Sequence, residues 1–125
     1  MVHFLASWCP QCSYEIPHLV GLRRAIGMER LGIVLVAIDD SQDDASAFAR
    51  RWRLPFPLVN DSLGDAKRAF AVSGLPLTVL LRRSGEPVLL PDTRTGQRTS
   101  RLEGPYAWDA LGTIALLERA LGVTE

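Results

Sequence analysis

The chain has 125 residues, enough for one domain (residues 1–125) with a hydrophobic core of its own. Hydrophobic residues make up 47% and charged residues 22%, a globular balance that excludes a disordered chain. Fourteen basic residues offset fourteen acidic ones, so no net field draws the protein onto nucleic acid or an anionic membrane.

The pairs Arg23-Arg24, Arg50-Arg51 and Arg82-Arg83 read as solvated faces. The longest apolar run, Ile33 to Ile38, falls far short of the ~20 residues that span a bilayer. No basic stretch followed by an apolar one opens the chain, so no signal peptide is visible. Two cysteines make at most one disulfide, and the fold must therefore be held by its core.

Val2 to Leu5 is a short apolar run and predicts a buried strand. "CPQCSYEIPHLVGLRRAIG" follows, with Leu19, Leu22 and Ile26 at helical spacing. Pro10 suits a first helical turn, Pro17 is expected to bend the helix, and Gly27 to stop it. "GIVLVAIDD" is continuously apolar, as a strand in a parallel sheet is. Asp39 and Asp40 at its end are expected to cap the turn. "SQDDASAFARRWRL" predicts an amphipathic helix, capped by Ser41, Asp43 and Asp44, with Phe48 and Trp52 on one face.

"PFPLVND" is expected to be an extended insertion, since its prolines forbid helix. "LGDAKRAFAV" predicts a short helix and "LPLTVLLRR" a third strand, with a turn at "SGEP". A fourth strand, antiparallel to the third, is expected between Val88 and Glu103. The polar stretch "PDTRTGQRTS" within it reads as a loop or a lengthened turn. From Tyr106 onward, Trp108, Leu111, Ile114, Leu117 and Leu121 predict a last amphipathic helix. The order β-α-β-α, insertion, β-β-α predicts an α/β fold, a central mixed sheet flanked by helices. Such sheets carry their chemistry at the carboxyl ends of strands. The first strand ends beside "WCPQC", residues 8–12.

A cysteine at a helix N-terminus meets unpaired backbone N–H groups and the positive end of the helix dipole. Such surroundings bring a thiol from about 8.5 down to roughly 3.5–7.5. Cys9 is therefore the candidate nucleophile, because the thiolate is the attacking species in disulfide exchange. Cys12, one turn behind, is the candidate resolving thiol. Two buried apolar cysteines three apart by chance are the bland alternative, which the strand-to-helix setting disfavours. Glu15 follows Cys12 by three residues, on the same side of the helix. It is either a partly buried base that takes the Cys12 proton or an ordinary surface carboxylate, and the shared side favours the first. Trp8 reads as an apolar rim or a core residue. Pro10 stiffens the turn between the thiols. His3 and His18 are read as packed or exposed histidines without a catalytic role.

"FLASWCPQC" resembles the active-site segment of thioredoxin-fold thiol–disulfide oxidoreductases, in particular the TlpA/ResA-like branch. "CSYEIP" is similar to that branch's glutamate and proline after the second cysteine, here Glu15 and Pro17. "FPLVND" resembles the extended segment before the branch's extra helix, and "SGLPLTVLL" the segment with its cis-proline, which falls on Pro76. "SGEP" matches its hairpin turn.

The resemblance implies a thioredoxin-like fold and exchange of protein dithiols and disulfides through Cys9 and Cys12. It implies substrate contacts at Trp8, Pro10, Leu75 and Pro76, where a peptide pairs with the Leu75 backbone like an added strand. It further implies an upstream redox partner protein, no metal or organic cofactor, and a place in the bacterial envelope, the cytoplasm being the alternative. The branch's usual first strand and helix are missing before "VHFLASWC", so a shortened N-terminus is expected, with a bare sheet edge and a monomer or weak dimer. The polar segment at 91–100 is longer than the branch's hairpin. A peroxiredoxin-like peroxidase is a second candidate, but the threonine it usually carries three residues before the nucleophile is Ala6 here. A non-catalytic metal or binding module using Cys9, Cys12, His3 and His18 is a third, with ligands poorly placed for a tetrahedron.

Overall fold

The computed structural model describes residues 1–38, 41–92 and 94–122. Four strands build most of the sheet: β1 (Val2–Leu5), β2 (Val34–Ala37), β3 (Leu58–Asn60) and β4 (Leu77–Val79). Two short strands follow, β5 (Leu90–Pro91) and β6 (Arg98–Thr99), and then β7 (Arg101–Glu103). The helices are α1 (Pro10–Ile26), α2 (Gln42–Trp52), α3 (Asp65–Ala69) and α4 (Leu111–Leu121). Asp39 and Asp40, expected to cap the turn after β2, lie outside the described residues.

The main sheet runs β3-β2-β1-β4-β7, with β1 parallel to β2, β2 parallel to β3, and β4 antiparallel to both β1 and β7. It is therefore the mixed sheet that the order of elements predicts. Side chains alternate across it. Met1, Leu5, Leu35, Ala37 and Leu102 join one core with α1, α2 and α4. Phe4, Val36, Leu77 and Val79 join the opposite core, with Val72 and the partly buried Phe70.

"PFPLVND" is more than an extended insertion. Its Leu58–Asn60 pairs with β2 as an outer strand. Pro57 fits because it contributes only an acceptor: its carbonyl takes the Leu35 N–H at 2.9 Å. The outer strands are thus β3 and β7, each three residues long, while β1 lies in the middle. After the "SGEP" turn the chain bridges back just past β4, at Leu81 and Pro87, with the Val88 N–H donating to the Leu80 carbonyl at 3.0 Å, and then leaves the main sheet. Its polar stretch closes on itself as a separate hairpin of β5 and β6 before β7 returns to β4.

The last helix begins later than its apolar spacing predicts. Tyr106 and Trp108 belong to the β7–α4 connector, and Leu111 at the start of α4 is exposed. The Gly104 N–H is taken by the Pro76 carbonyl and the Tyr106 N–H by the Glu15 carboxylate, which hold this stretch as a connector. α1 runs through Pro17, which is exposed, and ends at Gly27 with φ +89°. Ser41 caps α2, its hydroxyl accepting the Asp44 N–H at 3.0 Å.

Candidate active site

β1 delivers the chain to Ala6, whose carbonyl accepts the Cys9 N–H at 3.2 Å. Cys9 is then the N-cap of α1, with extended backbone, and Pro10 takes the first helical position. The Cys9 sulfur accepts the Cys12 N–H at 3.3 Å. No acidic residue in the first turn competes for the positive helix end. Cys9 and Cys12 are joined as a disulfide with Cα atoms 5.3 Å apart. Cys9 keeps 6% of its surface and Cys12 none, so an incoming sulfur meets Cys9 first.

A cleft of about 160 Å³ opens beside Cys9, lined by Trp8, Ile38, Lys67, Val72 and Leu75 among others. Trp8 is 60% exposed, which places it on the rim and not in the core. Leu75 lines the same cleft. Pro10 is exposed at the start of α1 and Pro76 is buried behind Leu75. The Leu75–Pro76 bond is cis, and the Pro76 carbonyl accepts the Gly104 N–H at 2.9 Å.

Glu15 is fully buried on the α1 stripe that also carries Cys12, Ile16 and Leu19. Its Oε2 accepts the Tyr106 N–H at 3.0 Å and the Trp108 indole N–H. Burial pushes the Glu15 carboxyl up to about 7, against the pull of those two donors and of the more distant His18 and Arg94. A carboxyl held there is neither a surface acid nor permanently ionised, and it can exchange a proton near neutral pH.

The polar hairpin is tied into this arrangement. Asp92 accepts the Tyr106 hydroxyl at 2.7 Å, and the Arg94 guanidinium stacks 4.5 Å over the Tyr106 ring. The hydrogen bond from Tyr106, and after it the one from the Arg94 backbone N–H, hold Asp92 below the usual carboxylate range. The hairpin thereby braces the connector that supplies both donors to Glu15. A larger hollow of about 300 Å³ under the hairpin is lined by Asp92, Arg94, Arg101 and Glu103 among others and contains no thiol.

His18 lies apart from the thiols, paired with Asp109 at 2.7 Å. His3 is fully buried and bonds Thr78 at 2.8 Å. Neither imidazole joins the cysteines, and no metal-binding cluster exists among the described residues. Sequence reasoning missed Tyr106, Trp108 and Asp92 as partners of the site. It also missed the signal at His3, which alternates in register with Leu5 and so had to face a core.

The sequence profile of the AhpC/TSA family matches residues 1–87. The chain belongs to that family. It is 28% identical over 103 residues to sporulation thiol-disulfide oxidoreductase A of Bacillus subtilis, covering 80% of this chain and 61% of the relative. It is 28% identical over 86 residues to thiol-disulfide oxidoreductase ResA of Oceanobacillus iheyensis, covering 69% of this chain and 45% of the relative. The chain thus spans about half the length of the curated relatives it matches. A Chlorobium tepidum structure, described as a thiol:disulfide interchange protein DsbE, superposes with a TM-score of 0.76 at 23% identity. That match covers 97% of this chain and 78% of the other, and the shared fold is thioredoxin-like.

Proposed function

We propose that this protein is a thiol–disulfide oxidoreductase acting on protein disulfides, working as a reductase in the bacterial cell envelope. One observation carries the reading: Cys9 caps α1 at the cleft with its sulfur accepting a backbone N–H, while Cys12 lies buried one turn behind. In the reduced protein the helix N-terminus favours the Cys9 thiolate. This thiolate attacks one sulfur of a substrate disulfide, forming a mixed disulfide and expelling one substrate thiolate. The Cys12 thiol passes its proton to Glu15 and attacks the Cys9 sulfur. The second substrate thiolate leaves, and the Cys9–Cys12 disulfide remains. Two electrons have moved to the substrate, and an upstream dithiol protein returns the pair to the reduced state.

Trp8 and Leu75 supply apolar contact to the substrate segment beside Cys9, with Pro10 at the helix start and Pro76 fixing the floor behind Leu75. The redox-active cysteine pair needs no metal or organic cofactor. The envelope assignment rests on the likeness of "FLASWCPQCSYEIP" to the TlpA/ResA-like branch. Peroxide reduction is the weaker reading, with Ala6 where threonine is wanted and both thiols in one turn. The test is reduction of insulin disulfides by dithiothreitol. The wild type is expected to accelerate it and Cys9→Ser to leave it at the uncatalysed rate. Equal rates from both proteins refute the enzyme.

A further inference from the structure

Four polar or charged side chains are buried among the described residues, and three of them, His3, Glu15 and Thr78, form one cluster. The β1–β4 register sets His3 directly opposite Thr78, and α1 brings Glu15 over the same face. His3 Nδ1 lies 2.8 Å from the Thr78 hydroxyl. His3 Nε2 lies 3.3 Å from Glu15 Oε1. Neither of these last two atoms has a hydrogen-bond partner elsewhere. Two buried polar atoms left so are costly, and a single proton between them satisfies both.

We propose that His3 is the proton partner of Glu15, a neutral imidazole that changes tautomer, not charge, as Glu15 titrates. With Glu15 protonated, its Oε1–H donates to Nε2, and Nδ1–H donates to the Thr78 hydroxyl oxygen. With Glu15 ionised, Nε2–H donates to Oε1, and Nδ1 accepts from the Thr78 hydroxyl. The ring holds one proton in both states, so the cluster as a whole gains or loses only the carboxyl proton. A hydroxyl beyond the ring, able to donate or accept, is what permits both arrangements. Burial depresses His3 to about 3, which keeps it from competing as a cation.

The other groups facing the pair leave this exchange to His3. Tyr106 N–H and the Trp108 indole are fixed donors to Oε2. Arg94, from the hairpin, and His18, on α1, favour the ionised carboxylate from a distance. Asp92 is bound by Tyr106 and Arg94, and Asp109 by His18. Cys12 precedes Glu15 by one turn on the same stripe. His3 is thus a positioning residue: it gives Glu15 a hydrogen-bond partner both before and after it takes the Cys12 proton. That catalytic meaning rests on the exchange reaction above, whereas the tautomer change does not.

The test is a nuclear magnetic resonance titration of the oxidised protein, with isotopically labelled histidine nitrogens, from about pH 5 to about pH 9. His3 is expected to stay neutral throughout, its proton moving from Nδ1 to Nε2 with a midpoint near 7. In Glu15→Gln the Nδ1–H form is expected at every pH. Nitrogen shifts of His3 that ignore pH in the wild type, or a switch that survives in Glu15→Gln, overturn the proposal. The wild-type titration needs no variant to fold. In His3→Leu both forms of Glu15 lose a partner, but the charge-assisted bond to the ionised carboxylate is the stronger of the two, so the pH at which the resolving step reaches half its maximum rate should rise by about one unit; an unmoved profile counts against the coupling. Insulin reduction that persists beside an invariant His3 defeats this inference alone, and a switching His3 in a protein that reduces nothing defeats only the exchange reaction.

Discussion

Cys12→Ser is expected to accumulate a covalent complex with its substrate, visible on a non-reducing gel and dispersed by dithiothreitol. Cys12 carries no exposed surface, so the first attack belongs to Cys9, which retains some. Once Cys9 is joined to substrate, the complex is released by the sulfur held one turn away. Removing that sulfur leaves release to thiols from solution. A tethered reactant commonly outpaces a free one by far, so turnover should fall on the order of 10²-fold or more. Cys9→Ser should form no complex, since it loses the attacking group and leaves the buried one. A Cys12→Ser protein that turns over like the wild type, or a Cys9→Ser protein that traps substrate as well, contradicts these roles.

Glu15→Gln is expected to stabilise the oxidised protein at alkaline pH while slowing its chemistry. Burial raises the Glu15 carboxyl from 4.5 to about 7 in the folded protein. Between those values the native state keeps a proton that the unfolded chain releases, so stability falls as pH rises through that window. The penalty is absent below about 4.5 and complete above about 7. Glutamine never ionises, and its amide oxygen can still accept from Tyr106 and Trp108. The variant should therefore gain about 2–3 kcal/mol at pH ~8 and well under half of that at pH ~5. His3 has the opposite slope. Its folded value lies near 3 against 6.5 unfolded, so its contribution is lost as pH falls from 6.5 toward 3, in wild type and variant alike. Urea unfolding at the two pH values checks the difference. A gain that does not grow with pH contradicts a raised Glu15.

The strands β1, β2 and β4 and the helices α1 and α2 were legible because each is announced locally, by an apolar run or by spaced apolar residues behind a cap. The thiol pair was legible for the same reason: strand, turn, cysteine and helix are contiguous. What escaped depends on residues distant in sequence. Tyr106 and Trp108 hold Glu15 across 91 and 93 positions, and nothing near Glu15 in the chain announces them. Their spacing also mimics the start of a helix, while their N–H groups were needed elsewhere. β3 was hidden by its flanking prolines, which sit just outside the ladder. The polar hairpin lacks an apolar alternation of its own: Leu90 alone of its strand residues joins the core, and Asp92 and Arg94 tie it to Tyr106.

The acidity of Cys9 is the quantity on which the whole account turns, and the ultraviolet absorbance of its thiolate in the fully reduced protein measures it. With the helix N-terminus and the Cys12 N–H acting on its sulfur, Cys9 should ionise below about 7.5. A Cys9 that ionises near ~8.5, as a free cysteine does, would contradict the account.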